Sequence, residues 1–155
     1  MKITVDSNIV FSAILNTRSN IGQLLTIGAK HFDFYTINLL KIEILHHKNK
    51  IQSITGFSNA KFNKIFNLII SKIRFVDERL ISDDTLEKAY SLSYDIDEED
   101  TMFIALTNHL NSMLWTGDKK LENGLKNKGF SRIVNTADLY DIFITEELKR
   151  KKNNM

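Results

Sequence analysis

The chain has 155 residues, 43% of them hydrophobic and 26% charged, and this composition excludes a disordered or fibrous protein. The length suits one domain, and the absence of cysteine excludes disulfide scaffolds, thiolate metal sites and cysteine nucleophiles. The net charge is +2, but Lys149–Lys152 supplies four positive charges, so the rest of the chain is slightly acidic, which argues against a wholesale nucleic-acid binder.

In chain order, short segments rich in β-branched and aromatic residues alternate with segments whose apolar residues recur at helical spacing. Proline is absent, so the breaks between elements are read from Gly, Asn, Asp and Ser. The predicted strands cover residues 2–5, 32–37, 73–76, 112–116 and 131–134. The predicted helices cover residues 9–15, 21–29, 39–48, 57–72, 85–94, 98–109 and 119–128, with a last helix from residue 136. This alternation predicts an α/β fold, a three-layer α/β/α sandwich with a mainly parallel central sheet of about five strands.

The chain is expected to form a single domain over residues 1–148. Residues 149–155 are basic and are expected to be a frayed, solvated helix end. The apolar stretch at the N-terminus is interrupted by Asp6 and is too short for a secretion signal. No uncharged run is long enough to span a membrane, which takes roughly 18 residues or more. A cytoplasmic protein without membrane contact is therefore the expectation.

Four acidic residues stand where a purely structural role does not require them. Asp6 follows the first predicted strand, and Asp118 follows the fourth with one glycine between. The carboxyl ends of parallel strands meet at one edge of a sheet, so both carboxylates are expected at that edge. Glu43 borders leucines on a predicted helix, and Asp100 lies one turn before an apolar helical stripe. Asp6 and Asp118 each also fit helix capping, worth about 1 kcal/mol, but the four acids together favour a shared site.

These carboxylates would repel one another on convergence unless a divalent cation offset their charge. Hard oxygen ligands without a softer donor suit Mg²⁺ or Mn²⁺, as one or two ions. Such centres serve phosphoryl transfer, in which the metal activates water and stabilises the charged transition state. Within the acidic run, Asp97 or Glu99 could take the place given to Asp100, and Asp97 is also a candidate second ligand or capping residue.

Four segments carry a resemblance to a known family. They are Val5–Asn8, the Glu43 helix with its trailing His47-Lys48, Asp97–Leu106, and Trp115–Leu121. On these segments, from Lys2 to the helix near Leu139, the chain resembles the PIN-domain nuclease family. The resemblance implies an α/β/α sandwich that gathers three or four acids around Mg²⁺ or Mn²⁺ and cleaves RNA. Many bacterial members of the family are similar to toxins that are paired with an antitoxin.

The resemblance assigns roles to particular residues of this chain. The implied catalytic and metal-binding acids are Asp6, Glu43, Asp100 and Asp118. The implied supporting hydrogen-bond groups are Asn8 and Thr116. The basic side chains near these acids, expected to contact substrate phosphates, are His47, Lys48, Lys119 and Lys120. The expected partners are an RNA substrate, an antitoxin and a second copy of the chain, and hydrolysis is expected to leave a 5′-phosphate and a 3′-hydroxyl.

Two other functions compete with a ribonuclease. A phosphatase of the haloacid dehalogenase type also uses an Asp at the end of a strand and a late Gly-Asp motif for Mg²⁺. That scheme normally requires Asp-x-Asp, and position 8 of this chain is Asn. A non-catalytic RNA-binding or phospho-receiver module is the third reading. It is disfavoured because all four motif acids are present and because the paired acids of a receiver cannot be placed.

Overall fold

The computed structural model describes all of residues 1–155 and contains five strands and nine helices. The strands are β1 (Lys2–Val5), β2 (Asp33–Ile37), β3 (Ile73–Val76), β4 (Met113–Trp115) and β5 (Ile133–Val134). The first helices are α1 (Ser7–Leu15), α2 (Asn20–Thr26), α3 (Leu39–His46), α4 (Lys48–Thr55) and α5 (Asn59–Ile70). The later helices are α6 (Asp83–Ser93), α7 (Thr101–Leu110), α8 (Lys119–Asn127) and α9 (Thr136–Asn153). Single 3₁₀ turns cover residues 28–30, 78–80 and 98–100.

The strands form one sheet in the order β3-β2-β1-β4-β5, and every neighbouring pair is parallel. At its centre, Val5 of β1 lies opposite Trp115 of β4. Both side chains are fully buried, as is Ile3 on the same strand. Strands buried on both faces read as continuous apolar runs, which is how β1 and β4 appear in the sequence. The predicted α/β/α fold with five strands is confirmed, and the sheet is wholly parallel.

The strand order places the helices in two layers. From β1 the chain steps outward through β2 to β3, and α1 to α5 cover one face together with α9, which packs on α2. The chain then returns past β1 to β4 and β5, and α6, α7 and α8 cover the other face. When right-handed crossover connections run in opposite directions along a sheet, their helices lie on opposite faces of the sheet. The direction therefore reverses between β1 and β4, and a crevice opens at the carboxyl ends of these strands.

One helix was not predicted. The sequence predicts one helix over residues 39–48 and no element over residues 49–56, whereas α3 ends at His46 and a separate helix, α4, covers Lys48–Thr55. The exposed, polar composition of α4 weakens its helical pattern, and only Ile51 is buried. Gly56 ends this helix with φ of 75°, a backbone conformation that favours glycine.

The last helix runs beyond the boundary proposed from the sequence. Leu139 and Phe143 bury its inner face, and it stays helical through Asn153, so most of the basic segment 149–155 continues α9. The basic side chains of this segment are exposed, as expected for cations in the last turns of a helix. No helix combines the length and apolar character needed to cross a membrane.

Candidate metal centre

The reversal of strand order decides where the first two acids meet. Asp6 is the residue after β1, and Thr116 is the residue after β4, which pairs with β1. Asp118 follows Thr116 with one glycine between. At this point the chain enters α1 on one face and α8 on the other. Both acids consequently lie at the mouth of the crevice, as the sequence analysis expected.

Asp6 is held rigidly in a nearly dry position. Its side chain is 2% exposed and caps α1 by accepting a hydrogen bond from the Ile9 N–H at 3.0 Å. The pKa of the Asp6 carboxyl is raised from 3.8 to about 6, mainly by burial and to a lesser extent by the charge of Asp118. The hydrogen bonds from Ile9 and from the Thr116 side chain oppose that shift. A buried carboxylate without a cationic partner destabilises the folded protein, so a bound cation at Asp6 would be stabilising.

Asp118 is fixed by the start of α8. Its carboxylate accepts hydrogen bonds from the Lys120 N–H at 2.9 Å and the Leu121 N–H at 3.2 Å. Its own N–H donates to the Thr116 hydroxyl oxygen at 3.1 Å. Thr116, which is 1% exposed, thus contacts both acids and holds the end of β4 against them. Capping and site formation are not alternatives here, because the same carboxylate does both.

The 3₁₀ turn before α7 contributes two more acids. Asp97 caps this turn by accepting a hydrogen bond from the Glu99 N–H at 3.0 Å, and Asp100 ends it. One carboxylate oxygen each from Asp97, Asp100 and Asp118 lies within 4.8 Å of the others. The pKa of Asp100 is raised from 3.8 to about 7, chiefly by burial and then by the negative charges of Asp6, Asp97, Asp118 and Glu99. Asp97, only a reserve candidate from sequence, therefore lies inside the cluster.

Glu43 lies across a cavity from this cluster. It projects from α3 and is exposed, as is Leu39 one turn earlier, while Leu40 and Ile44 of the same helix are buried. The cavity, of about 450 Å³, also has Asn8, Asp97 and Asp100 on its walls. Glu43 is thus brought to the site without the desolvation that its leucine neighbours suggested. Asn8 lines the cavity beside Glu43 and makes no side-chain hydrogen bond.

The four basic residues predicted to contact phosphate are not placed alike. His47 lines the cavity beside Glu43, with its ring 5.5 Å from the ring of Phe11. Lys48 points elsewhere, since its ammonium lies over the Phe62 ring, 5.3 Å from the centroid. Lys119 and Lys120 are exposed on the first turn of α8 and do not line the cavity.

Sequence reasoning missed part of the cavity wall. Ser7 and Phe103 line it, Ser7 from the first turn of α1 and Phe103 from the first turn of α7. Glu99, named in the sequence analysis as an alternative to Asp100, also lines it. Ser7 could have been predicted to line the cavity, because it lies between Asp6 and Asn8 in the sequence. Nothing in the local sequence distinguished Phe103 from an ordinary core residue.

The residues present fit a hard divalent cation. Their donors are carboxylate oxygens, the ligands that Mg²⁺ and Mn²⁺ prefer. No ion pair of the protein includes Asp6, Glu43, Asp97, Asp100 or Asp118, although ion pairs form elsewhere on the surface. Asp6 and Asp100 have raised pKa values, first because of burial and second because other carboxylates lie nearby.

Comparison with known proteins gives one family and one fold. The model of a family described as PIN domain matches residues 4–139. A chain in the crystal structure of VapBC2 from Rickettsia felis, bound to a DNA fragment from their promoter, superposes with a TM-score of 0.61. It is 15% identical, and the match covers 87% of this chain and 98% of that chain. At this identity the likeness shows the fold alone. No curated protein matches the chain.

Proposed function

The chain belongs to the PIN domain family, whose members are typically nucleases that use divalent metal ions, and on this premise we propose that it is a Mg²⁺- or Mn²⁺-dependent endoribonuclease. The observation that carries the proposal is the convergence of acids from separate elements on one crevice. Asp97, Asp100 and Asp118 have oxygens within 4.8 Å of one another, and Asp6 is electrostatically coupled to Asp100 and Asp118.

The residues that would hold the ion are Asp6, Asp97, Asp100 and Asp118, with Glu43 facing them across the cavity. When bound, a divalent cation supplies a Lewis acid that activates water and offsets the negative charge of a phosphoryl transition state. The protein supplies the rigidity. Backbone N–H groups at two helix starts hold Asp6 and Asp118, so that neither carboxylate needs to reorganise during the reaction.

Thr116 and Glu43 have different tasks in this scheme. Thr116 positions two acids at once, because its hydroxyl contacts Asp6 and accepts from the Asp118 N–H. Glu43 is exposed and has no ion-pair partner, so its carboxylate is free to orient the attacking water or to accept its proton. Water attacks phosphorus and the bond to the 3′ oxygen breaks, leaving a 5′-phosphate and a 3′-hydroxyl. His47 is the one predicted phosphate contact that lines the cavity.

A labelled single-stranded RNA incubated with the protein tests this proposal. Cleavage is expected with Mn²⁺ or Mg²⁺ and is expected to stop in EDTA. Asp100→Asn is expected to lower the rate by about 100-fold or more, the usual scale for one essential catalytic group. Glu98→Gln is the matched control, since Glu98 is exposed, belongs to the same acidic run and does not line the cavity. Cleavage that persists in EDTA contradicts a metal-dependent mechanism.

The structure offers little to a phosphatase of the haloacid dehalogenase type. Its general acid would stand at position 8, where Asn8 cannot donate a proton to a leaving group. Turnover of p-nitrophenyl phosphate without cleavage of RNA would favour that alternative.

We also propose a protein partner, of the antitoxin type, and a homodimer in its absence. The fold likeness to VapBC2 supports the first, and the surface of α3 supports an interface of some kind. This helix exposes Leu39, Ile42 and Leu45 at 52%, 65% and 49%, and such apolar exposure marks interaction surfaces. Light scattering against the 17.9 kDa monomer mass tests the dimer. An RNA substrate implies action in the cytoplasm.

A further inference from the structure

A second cavity adjoins the acidic one. It has a volume of about 350 Å³, within the range of small-ligand pockets (~300–1,000 Å³). Its walls come from α1, α3 and α4. It shares Asn8, Glu43 and His47 with the acidic cavity, so the two form one continuous groove that begins at the carboxylate cluster.

The groove changes character along its length. On α1, Asn8, Phe11 and Leu15 follow one another at spacings of three and four residues, which places them on one helix face. The opposite wall runs from Glu43 through His47 to isoleucines of α4. Apart from Lys50 of α4, both walls are therefore polar at the carboxylate cluster and apolar beyond it. A ligand that is charged at one end and flat and apolar at the other fits this arrangement.

An aromatic pair stands where the character changes. The Phe11 ring meets the His47 ring at a centroid distance of 5.5 Å and an interplanar angle of 65°, so the two do not stack on each other. Phe11 is half-buried, and Lys50 brings a positive charge to the same cavity. Phe11 comes five residues after Asp6, which is a rise of about 7.5 Å along the axis of α1 at ~1.5 Å per residue. Asn8, about one turn before Phe11, lines both cavities, so a group held at Phe11 adjoins the acidic cavity.

On the premise of the ribonuclease activity proposed above, we propose that this groove holds one unpaired nucleobase of the RNA, next to the scissile phosphate. The base stacks on Phe11 with its edge towards His47, and Lys50 contacts the adjoining phosphate. A base in a duplex cannot enter the groove without leaving its stack. The groove therefore restricts the substrate to single-stranded or looped RNA, and Phe11 is a specificity-determining residue.

The test uses a single-stranded RNA that carries one 2-aminopurine, whose fluorescence falls when the base stacks. Titration in EDTA keeps the strand intact and makes the signal independent of metal. The wild-type protein is expected to quench the fluorescence, and Phe11→Leu, which keeps the apolar bulk, is expected to bind about tenfold more weakly. Phe75→Leu is the matched control, since Phe75 is also half-buried but lines neither cavity.

Cleavage in Mn²⁺ gives a second readout. An abasic unit beside the cleaved bond is expected to lower the kcat/KM of the wild-type protein about tenfold and that of Phe11→Leu much less, because the stacking contact is already absent. Quenching that depends on Phe11 in a protein that cleaves no RNA supports the base site and refutes the ribonuclease. If Phe11→Leu changes neither cleavage nor quenching, the base site is wrong and the ribonuclease activity is retained. This result is expected if the groove binds a protein partner instead. No quenching by the wild-type protein also overturns the base site.

Discussion

Replacing Asp6 with Asn separates the catalytic role of this residue from its structural role. Asn is as good a helix cap as Asp, so the hydrogen bond from the Ile9 N–H survives and α1 keeps its start. What is lost is a buried negative charge. The variant should therefore be inactive as a nuclease and yet, without metal, more stable than the wild-type protein at neutral pH.

The size of the effect follows from the pKa of Asp6. Its rise from 3.8 to about 6 means that the folded protein binds this proton more tightly than the unfolded chain does. The stability contributed by protonated Asp6 is therefore lost as the pH rises from about 4 through about 6, and the loss of this contribution is complete above that range. A shift of about two pKa units corresponds to about 3 kcal/mol. Asp6→Asn should recover about 2–3 kcal/mol at pH 8 and almost nothing at pH 4.

Urea unfolding in EDTA at pH 4 and pH 8 measures the difference. The control is Asp77→Asn, because Asp77 also caps a short turn, but hydrogen bonds from Arg79 lower its pKa to about 2. Its replacement should not stabilise the protein at pH 8. Added Mg²⁺ should stabilise the wild-type protein more than Asp6→Asn, since a ligand of the folded state shifts unfolding. An Asp6→Asn variant that is no more stable than wild type at pH 8 would refute the reasoning.

Substitutions at three further positions, Glu43, Asp118 and Gly22, test the site and its scaffold. Glu43→Gln should lower the rate of RNA cleavage by about 100-fold. Because the Glu43 side chain is exposed, the free energy of unfolding in urea should change by no more than about 0.5 kcal/mol. A large loss of stability would contradict the exposed position of Glu43. Asp118→Asn should abolish RNA cleavage and leave the stability of the protein nearly unchanged. Asp118→Ala should also abolish cleavage and should destabilise the protein by about 1 kcal/mol, because the cap of α8 is lost. Equal stabilities of the two variants would argue against the cap. Gly22→Ala should destabilise the fold by about 1–3 kcal/mol in thermal unfolding, since the new Cβ would lie 2.4 Å from the Thr17 carbonyl oxygen. Gly117→Ala, with its nearest neighbour at 4.0 Å, is the control, and equal effects would contradict the packing argument.

Elements with a strong, uninterrupted pattern were predictable. The strands β1 and β3 have the predicted bounds, because both are short segments rich in β-branched or aromatic residues. The helix α4 was not predicted, because only one of its eight residues is buried, so its sequence gives little periodic signal. The local pattern reports burial, and an element that buries little is nearly invisible to it.

The acids illustrate the same limit. That Asp6 and Asp118 share an edge followed from their positions after parallel strands. That β1 and β4 are neighbours did not, since strand order depends on crossovers between distant segments. Nor could the sequence rank Asp97 against Asp100, because the 3₁₀ turn between them brings both carboxylates to one place.

By itself the sequence determined the fold class, the oxygen-rich chemistry of the candidate ligands and the strand ends at which two of them stand, because strand and helix periodicity and residue type are local properties. Only the tertiary structure decided that Glu43 faces the cluster from an exposed helix, that Lys48 turns away from it, and that Phe11 and His47 meet beside it. Those facts depend on how α1, α3 and α4 pack against one another. Local sequence patterns do not encode contacts between side chains that are far apart in the chain.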